Sequence, residues 1–183
     1  MRALKYIFIG FAVVILGFLS LGLIHSSFTY TNTVEIDSTV EHAFEVFTDE
    51  SLASEWLIGY KGYEILEGAP LTPGSRFLMK FEQEGQDVEF VEILKVYEEN
   101  KEFTFDMETG VFDGEVQILF SGSSPTTLTA TTVTEGTNVF YRSMFYLMKG
   151  MFQEQSQKNY ELLKELVEGS ENEPVESTPA TNS

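Results

Sequence analysis

The chain has 183 residues, 43% of them hydrophobic and 14% aromatic, with 16 Phe, which makes it a globular chain and not a disordered one. Its formal net charge is −18; Arg2 and Lys5 precede the first carboxylate, Glu35, and removing them from the 11 basic residues leaves 9 against 29 acidic ones, a field that repels phosphate backbones and argues against nucleic-acid binding. There is no cysteine, which excludes disulfides, thiol chemistry, thiolate-bound metals and a lipidated N-terminal Cys.

Residues 1–27 read as a separate object, an N-terminal membrane anchor. After the two cations of MRALK, the run Tyr6–Ile24 carries no charge. About 19–20 residues at ~1.5 Å rise cross a ~30 Å hydrocarbon layer. A cleavable signal peptide has a shorter apolar run, roughly 7–15 residues, ended by a small-x-small site. Here HSSFTYTN follows instead, so the expectation is an uncleaved single-pass helix. Cations before the span and acids after it place the N-terminus in the cytoplasm and the domain on the extracytoplasmic side. Gly10, Gly17 and Gly22 form no GxxxG pair, so nothing in the span specifies a dimer and a monomer is expected.

The domain, residues 28–168, opens with a strand, TYTNTVEI, in which Tyr30, Val34 and Ile36 share one face. DSTVEHAFEVFTD then turns helical, capped by Asp37, Ser38 or Thr39, with Val40, Ala43, Phe44 and Phe47 at helical spacing. ESLASEWLIG is a second short helix carrying the only Trp, Trp56, with Gly59 as its stop. Six strands follow. They are YKGYEILEG, RFLMKFEQ after the Pro73-Gly74 turn, VEFVEILKVYEE, EFTFDME, GEVQILFSG and the Thr-rich TLTATTVTE. A long helix from Val139 to Val167 closes the domain. Residues 169–183, Ser/Thr/Pro/Glu-rich, are expected to be a disordered tail. The order is β-αα-β-β-β-β-β-β-α. Short loops imply an antiparallel meander, and its oily face needs a cover, which the long helix supplies. The fold class is α+β.

This order, together with VEIDSTVEHAFEVFTD, Trp56, Pro73-Gly74, the strand run and the closing helix, resembles the START-like superfamily, also called SRPBCC or polyketide cyclase/dehydrase and lipid-transport proteins. Ser38-Thr39 stands where those proteins usually carry Ala-Pro. The resemblance implies a helix-grip fold, a curved antiparallel sheet wrapped around the C-terminal helix with a cavity between them. Members hold lipids or other apolar small molecules there, and some catalyse cyclisation.

The last helix poses a question of its own. Met144, Met148, Met151, Leu162 and Leu166 recur along it, yet Gln155, Lys158 and Asn159 interrupt them. At ~100° per residue, Gln155 lies about 20° from Met144. A buried amide left unpaired costs roughly 1–3 kcal/mol, so a wet or ligand-filled cavity is one answer. Met144, Met148 and Met151 would be its flexible lining, with Gln155 and Asn159 hydrogen-bonding a head group. The alternative is ordinary packing, with Gln155 on a sheet-edge backbone group and Lys158 reaching outward. From the strands, Phe77, Met79, Phe81, Phe90, Phe103, Phe105 and Phe120 are either cavity wall or plain core.

Catalytic constellations are sparse. His25 follows the span, and His42 stands among carboxylates on the first helix. Neither has a nucleophile or metal partner by spacing, so no metal site is expected, and no phosphate-binding or nucleophile-elbow motif occurs. No cofactor is called for. Glu92 shares parity with Val88, Phe90, Leu94 and Val96, and Arg76 opens an apolar strand, so both are weak candidates for acid–base work inside the cavity. Three functions stand open: a membrane-tethered carrier or sensor of a lipid or apolar small molecule, a cyclase- or dehydratase-like enzyme using the same cavity by positioning, and a protein-interaction domain of the kind related to the Hsp90 ATPase activator.

Overall fold

The computed structural model describes residues 2–171. Of the tail expected over 169–183, Gly169 and Ser170 instead continue the last helix, and residues 172–183 lie outside the described ones. Helix α1 spans Arg2–Ile24, and from Leu4 onward it is long and apolar enough to cross a membrane. The domain follows as β1 Ser27–Ile36, α2 Val40–Thr48, a 3-10 turn Glu50–Leu52, α3 Ala53–Trp56, β2 Tyr60–Glu67, β3 Arg76–Gln83, β4 Gln86–Glu98, β5 Glu102–Glu108, β6 Phe112–Gly122, β7 Thr126–Gly136 and α4 Val139–Ser170.

The seven strands form one sheet in the order β1-β7-β6-β5-β4-β3-β2, every neighbouring pair antiparallel. Consecutive hairpins account for all of it except the pairing of β1 with β7. Local chemistry sets the turns. Gly74 takes φ +91, as a Pro-Gly type II turn requires, and its N–H donates to Leu94 O at 2.7 Å. Glu84 and Gly85 both have positive φ, the twist a two-residue hairpin needs. Thr39 caps α2 by accepting from His42 N at 3.3 Å, and Asn138 caps α4 by accepting from Tyr141 N at 3.1 Å.

The core fills only half of the sheet. Alternate residues of β1, β6 and β7 point inward and are buried, among them Ile36, Val116, Ile118, Phe120, Leu128 and Ala130. α2 and the last turns of α4 cover them with Val40, Phe44, Phe47, Leu163 and Val167. Phe44, Phe47 and Phe120 interlock with ring centres 5.1–6.2 Å apart. A smaller cluster, Phe28, Tyr30 and Phe145 with Phe112 and Phe152 against it, sits near α1. The inward residues of β3–β5, by contrast, are mostly half-buried, because no helix packs directly on them.

α4 lies along β1 and is fastened to it by amides. Asn32, buried, donates to Gln153 O at 3.0 Å and to Gln157 Oε1 at 2.8 Å, while Gln153 Nε2 donates to Thr31 O at 3.0 Å. Further along, Lys164 donates to Glu35 O, and Glu168 accepts from Asp37 N at 2.7 Å. The buried stripe of α4 is Phe145, Tyr160, Leu163 and Val167, with Phe152 and Ser156 between them. That is about one residue, or ~100°, around from the Met144–Gln155 stripe expected from hydropathy. Gln155 is exposed and Met151 is 54% exposed.

The end of α1 packs on the start of α4. Gly22 N donates to Ser143 Oγ at 2.9 Å, and a Cβ at Gly22 would meet Val139 O at 2.2 Å. Phe18 meets Phe140 edge-on at 5.6 Å, and His25 stacks on Tyr146 at 4.0 Å. The two helices therefore run in the same direction along this contact.

Candidate ligand cavity

A cavity of about 400 Å³ occupies the unfilled half of the sheet. The inner faces of β3, β4 and β5 form its floor through Phe77, Met79, Phe81, Phe90, Glu92, Phe103, Phe105 and Met107. α3 and the stretch after it close one side with Ala53, Trp56, Leu57 and Tyr60. The middle of α4 supplies Ser156, Asn159 and Tyr160, and the β2–β3 loop adds Pro70 and Leu71. Leu71 has φ +53, a left-handed conformation that an L side chain adopts at a cost. The volume is in the range of small-molecule sites, which are mostly apolar with a few placed polar groups.

Those polar groups are specific. Glu92 stands at the centre of the floor, paired in register with Phe77 on β3 and Met107 on β5. It is half-buried and lines the cavity. Burial pushes its carboxyl up to about 7 from the usual 4.5. Among the described residues it has no hydrogen-bond or ion-pair partner. Tyr63 donates to Glu50 Oε2 at 3.0 Å. Burial, then the negative charge of Glu50, raises the Tyr60 phenol to about 12. Tyr30 and Ser156 share a hydrogen bond at 3.2 Å, Asn159 Oδ1 accepts from Ile58 N at 3.3 Å, and Tyr160 is buried with its phenol raised. The Trp56 indole N–H is buried without a partner among the described residues.

Of the residues singled out in the sequence, Phe77, Met79, Phe81, Phe90, Glu92, Phe103, Phe105 and Asn159 meet at this cavity. Phe120 instead fills the aromatic core under α2. Met144, Met148, Met151 and Gln155 are not on the wall, because the first half of α4 faces β1 and α1. Arg76 alternates with the inward Phe77, lies on the outer face and pairs with Glu108 at 3.2 Å. Sequence reasoning passed over Tyr60, Tyr63, Glu50 and Leu71, which come from turns and a bulged edge strand whose facing no periodicity fixes. The part of Asn32, and the close approach of Gly22 to α4, need a partner helix to be visible.

No protein-family profile and no curated protein matches the chain. Solved structures do. The crystal structure of Ara h 8.0201 superposes with a TM-score of 0.62 at 10% identity, covering 77% of this chain and 97% of that one. A protein of unknown function, SA2116 from Staphylococcus aureus, gives 0.65 at 11% identity over 81% of this chain and 98% of that one. The di-domain ARO/CYC protein StfQ from the steffimycin biosynthetic pathway gives 0.65 at 11% identity, covering 80% of this chain and 52% of that one. Identity this low speaks to architecture alone. With its seven-stranded curved antiparallel sheet closed over a long C-terminal helix, the chain has the helix-grip fold.

Proposed function

We propose that the protein is a membrane-tethered helix-grip domain that holds a lipid or other apolar small molecule in the cavity between β3–β5 and α4. The observation that carries this reading is the unfilled apolar space itself. Close packing is the rule in protein interiors, and about 400 Å³ left open, walled by aromatic and Met side chains, is a standing vacancy for an apolar body. A domain whose role was protein interaction alone would have no need of that space. Helix α1 acts as the anchor, with the cations at its start in the cytoplasm and the domain on the other side.

A second reading is favoured by one observation. Glu92, unpartnered and titrating near neutrality, is suited to giving or taking a proton inside the cavity. That would make the protein a cyclase- or dehydratase-like enzyme, the class to which the name ARO/CYC of StfQ refers.

The test is native mass spectrometry of the domain from His25 to Glu171, after a cooperative melt has shown that it folds without α1. The expected result is a stoichiometric apolar passenger, absent from Met79→Trp, whose larger side chain fills the floor. A protein that emerges empty and takes up neither lipid nor apolar dye overturns the carrier reading. Turnover of a bound polyketide-like chain, abolished in Glu92→Gln, would decide for the enzyme.

A further inference from the structure

The cavity wall has an unbalanced charge. Its ionisable residues are Asp49, Glu50, Glu92 and four tyrosines, and among the described residues no Lys, Arg or His lines it. Asp49 and Glu50 are already engaged, by Ser51 and by Tyr63. Glu92 is not. Ionised, Glu92 is a half-buried carboxylate with no countercharge on the wall, a costly state that is relieved either by a proton or by a cation that a ligand brings. The chain's own nearby cations cannot supply that charge. Arg76 and Lys80 on β3 and Lys95 on β4 sit on the outer face, paired with Glu108, Glu64 and the Asp106–Glu115 couple. Strand alternation keeps all three turned away from the cavity.

The surroundings of Glu92 are aromatic. Phe77 is its cross-strand neighbour, and the Tyr63 ring meets Phe77 edge-on at 5.3 Å. Phe90, two residues before Glu92, stacks on Phe81 at 5.5 Å, and Tyr60 meets Phe81 at 5.6 Å. Aromatic faces attract both apolar bodies and cations.

We infer that the cavity takes a molecule with an apolar body and a basic nitrogen, its ammonium paired with Glu92 and its body lying along the Phe77–Phe81–Phe90 wall. This rests on the ligand-binding reading above and narrows it to a chemical class. Free fatty acids and other apolar acids are rejected, because they would bring a second negative charge to a wall that has nothing to offset it. The acidic exterior works in the same direction, drawing cations toward the domain.

Trp56, the only Trp in the chain and part of the wall, is the built-in reporter. The full chain, held in phosphatidylcholine discs bounded by an aliphatic polymer, is titrated with phenylbutylamine, phenylbutanol and phenylbutanoate, which share one body and differ in head group. The buffer is at about pH 8, where Glu92 is ionised. The amine is expected to bind roughly ten-fold or more tighter than the alcohol, the size of one charged hydrogen bond gained, and the carboxylate not measurably. In Glu92→Gln the amine should fall to the affinity of the alcohol, with the alcohol unchanged. Equal binding of amine and alcohol to the wild type, tightest binding of the carboxylate, or an amine preference that survives in Glu92→Gln overturns the inference and leaves the carrier reading standing. Failure of all three to bind overturns both. If Glu92→Gln does not melt cooperatively, the wild-type ranking decides alone.

Discussion

Glu92 is the residue on which most turns, and its position was readable from alternation along β4. What alternation could not show is the bulge between Leu94 and Val96, beyond which Tyr97 packs on Phe44 and takes the inward position expected of Val96. The raised carboxyl has a consequence for stability. With a folded value near 7 against 4.5, the unfolded chain loses this proton first as pH rises. The unfolded state therefore binds fewer protons between those two values, and stability falls across that window, then levels off. The shift corresponds to on the order of 3 kcal/mol as an upper figure. Asp49, Glu102 and Glu168 have lowered carboxyls through hydrogen bonds from Ser51, from Gln117 and Thr104, and from Asp37 N and Lys164. Their contributions are lost only at lower pH, as it falls through their folded values, so the two effects occupy separate windows. Urea unfolding at about pH 5 and about pH 8 is the measurement. Glu92→Gln should match the wild type at the lower pH and exceed it by about 1–3 kcal/mol at the higher. Parallel behaviour of the two proteins would mean that Glu92 is solvated in the folded state.

Among the elements, α4 shows what hydropathy can and cannot fix. Its existence and bounds were legible, but the facing of its first half was not. VFYRSMFYLMKGMF is apolar almost all round, so no single stripe stands out, and the helix must serve β1 on one side and α1 on another. Counting Met and Leu picked the wrong angle, whereas the buried side is marked by Phe145, Phe152 and Ser156. Of the amides that drew attention in the sequence, Gln155 is exposed and only Asn159 has a place inside; Gln153 and Gln157, which drew none, do the fastening. The contact with α1 hangs on Gly22, where the obstacle to any side chain is the backbone oxygen of Val139 and not a flexible group that could swing aside. Gly22→Leu should therefore separate α1 from α4 while changing the domain's own unfolding by less than about 1 kcal/mol. Because the chain has no native cysteine, Phe18→Cys with Phe140→Cys gives an unambiguous reporter. Oxidative cross-linking should be efficient with Gly22 present and largely lost with Leu there. Equal yields would show that the helices do not depend on this close approach.

For the molecule as a whole, the sheet order was largely implied by the run of short hairpins. Only the pairing of β1 with β7 is non-local, and one buried face on each strand leaves little choice of register. The cavity was legible only through the family resemblance. A void is what remains after packing, and no residue pattern encodes it directly. Tyr60 and Tyr63 come from the bulged strand β2, and Asp49 and Glu50 from the turn after α2, where periodicity is silent. The proposed arrangement in a membrane gives a direct prediction. A single cysteine at Ser123, exposed in the β6–β7 turn, should react with an impermeant maleimide added outside intact cells. Labelling only after permeabilisation would place the domain in the cytoplasm and reopen the interaction-domain reading.

The two borders of the sheet are finished differently. Along β1, the side chains of Gln153, Lys164 and Glu168 occupy backbone groups that another strand would need. Along β2, irregular register at Tyr60/Gly62 and Ile65/Glu67 and the charges of Lys61 and Glu64 break up the template. A protein confined to a plane by an anchor meets its own copies far more often than one free in solution, and always in the same upright orientation. With both borders obstructed, and the domain anchored as proposed, crowding on a surface is turned away from strand-to-strand polymerisation and fibres.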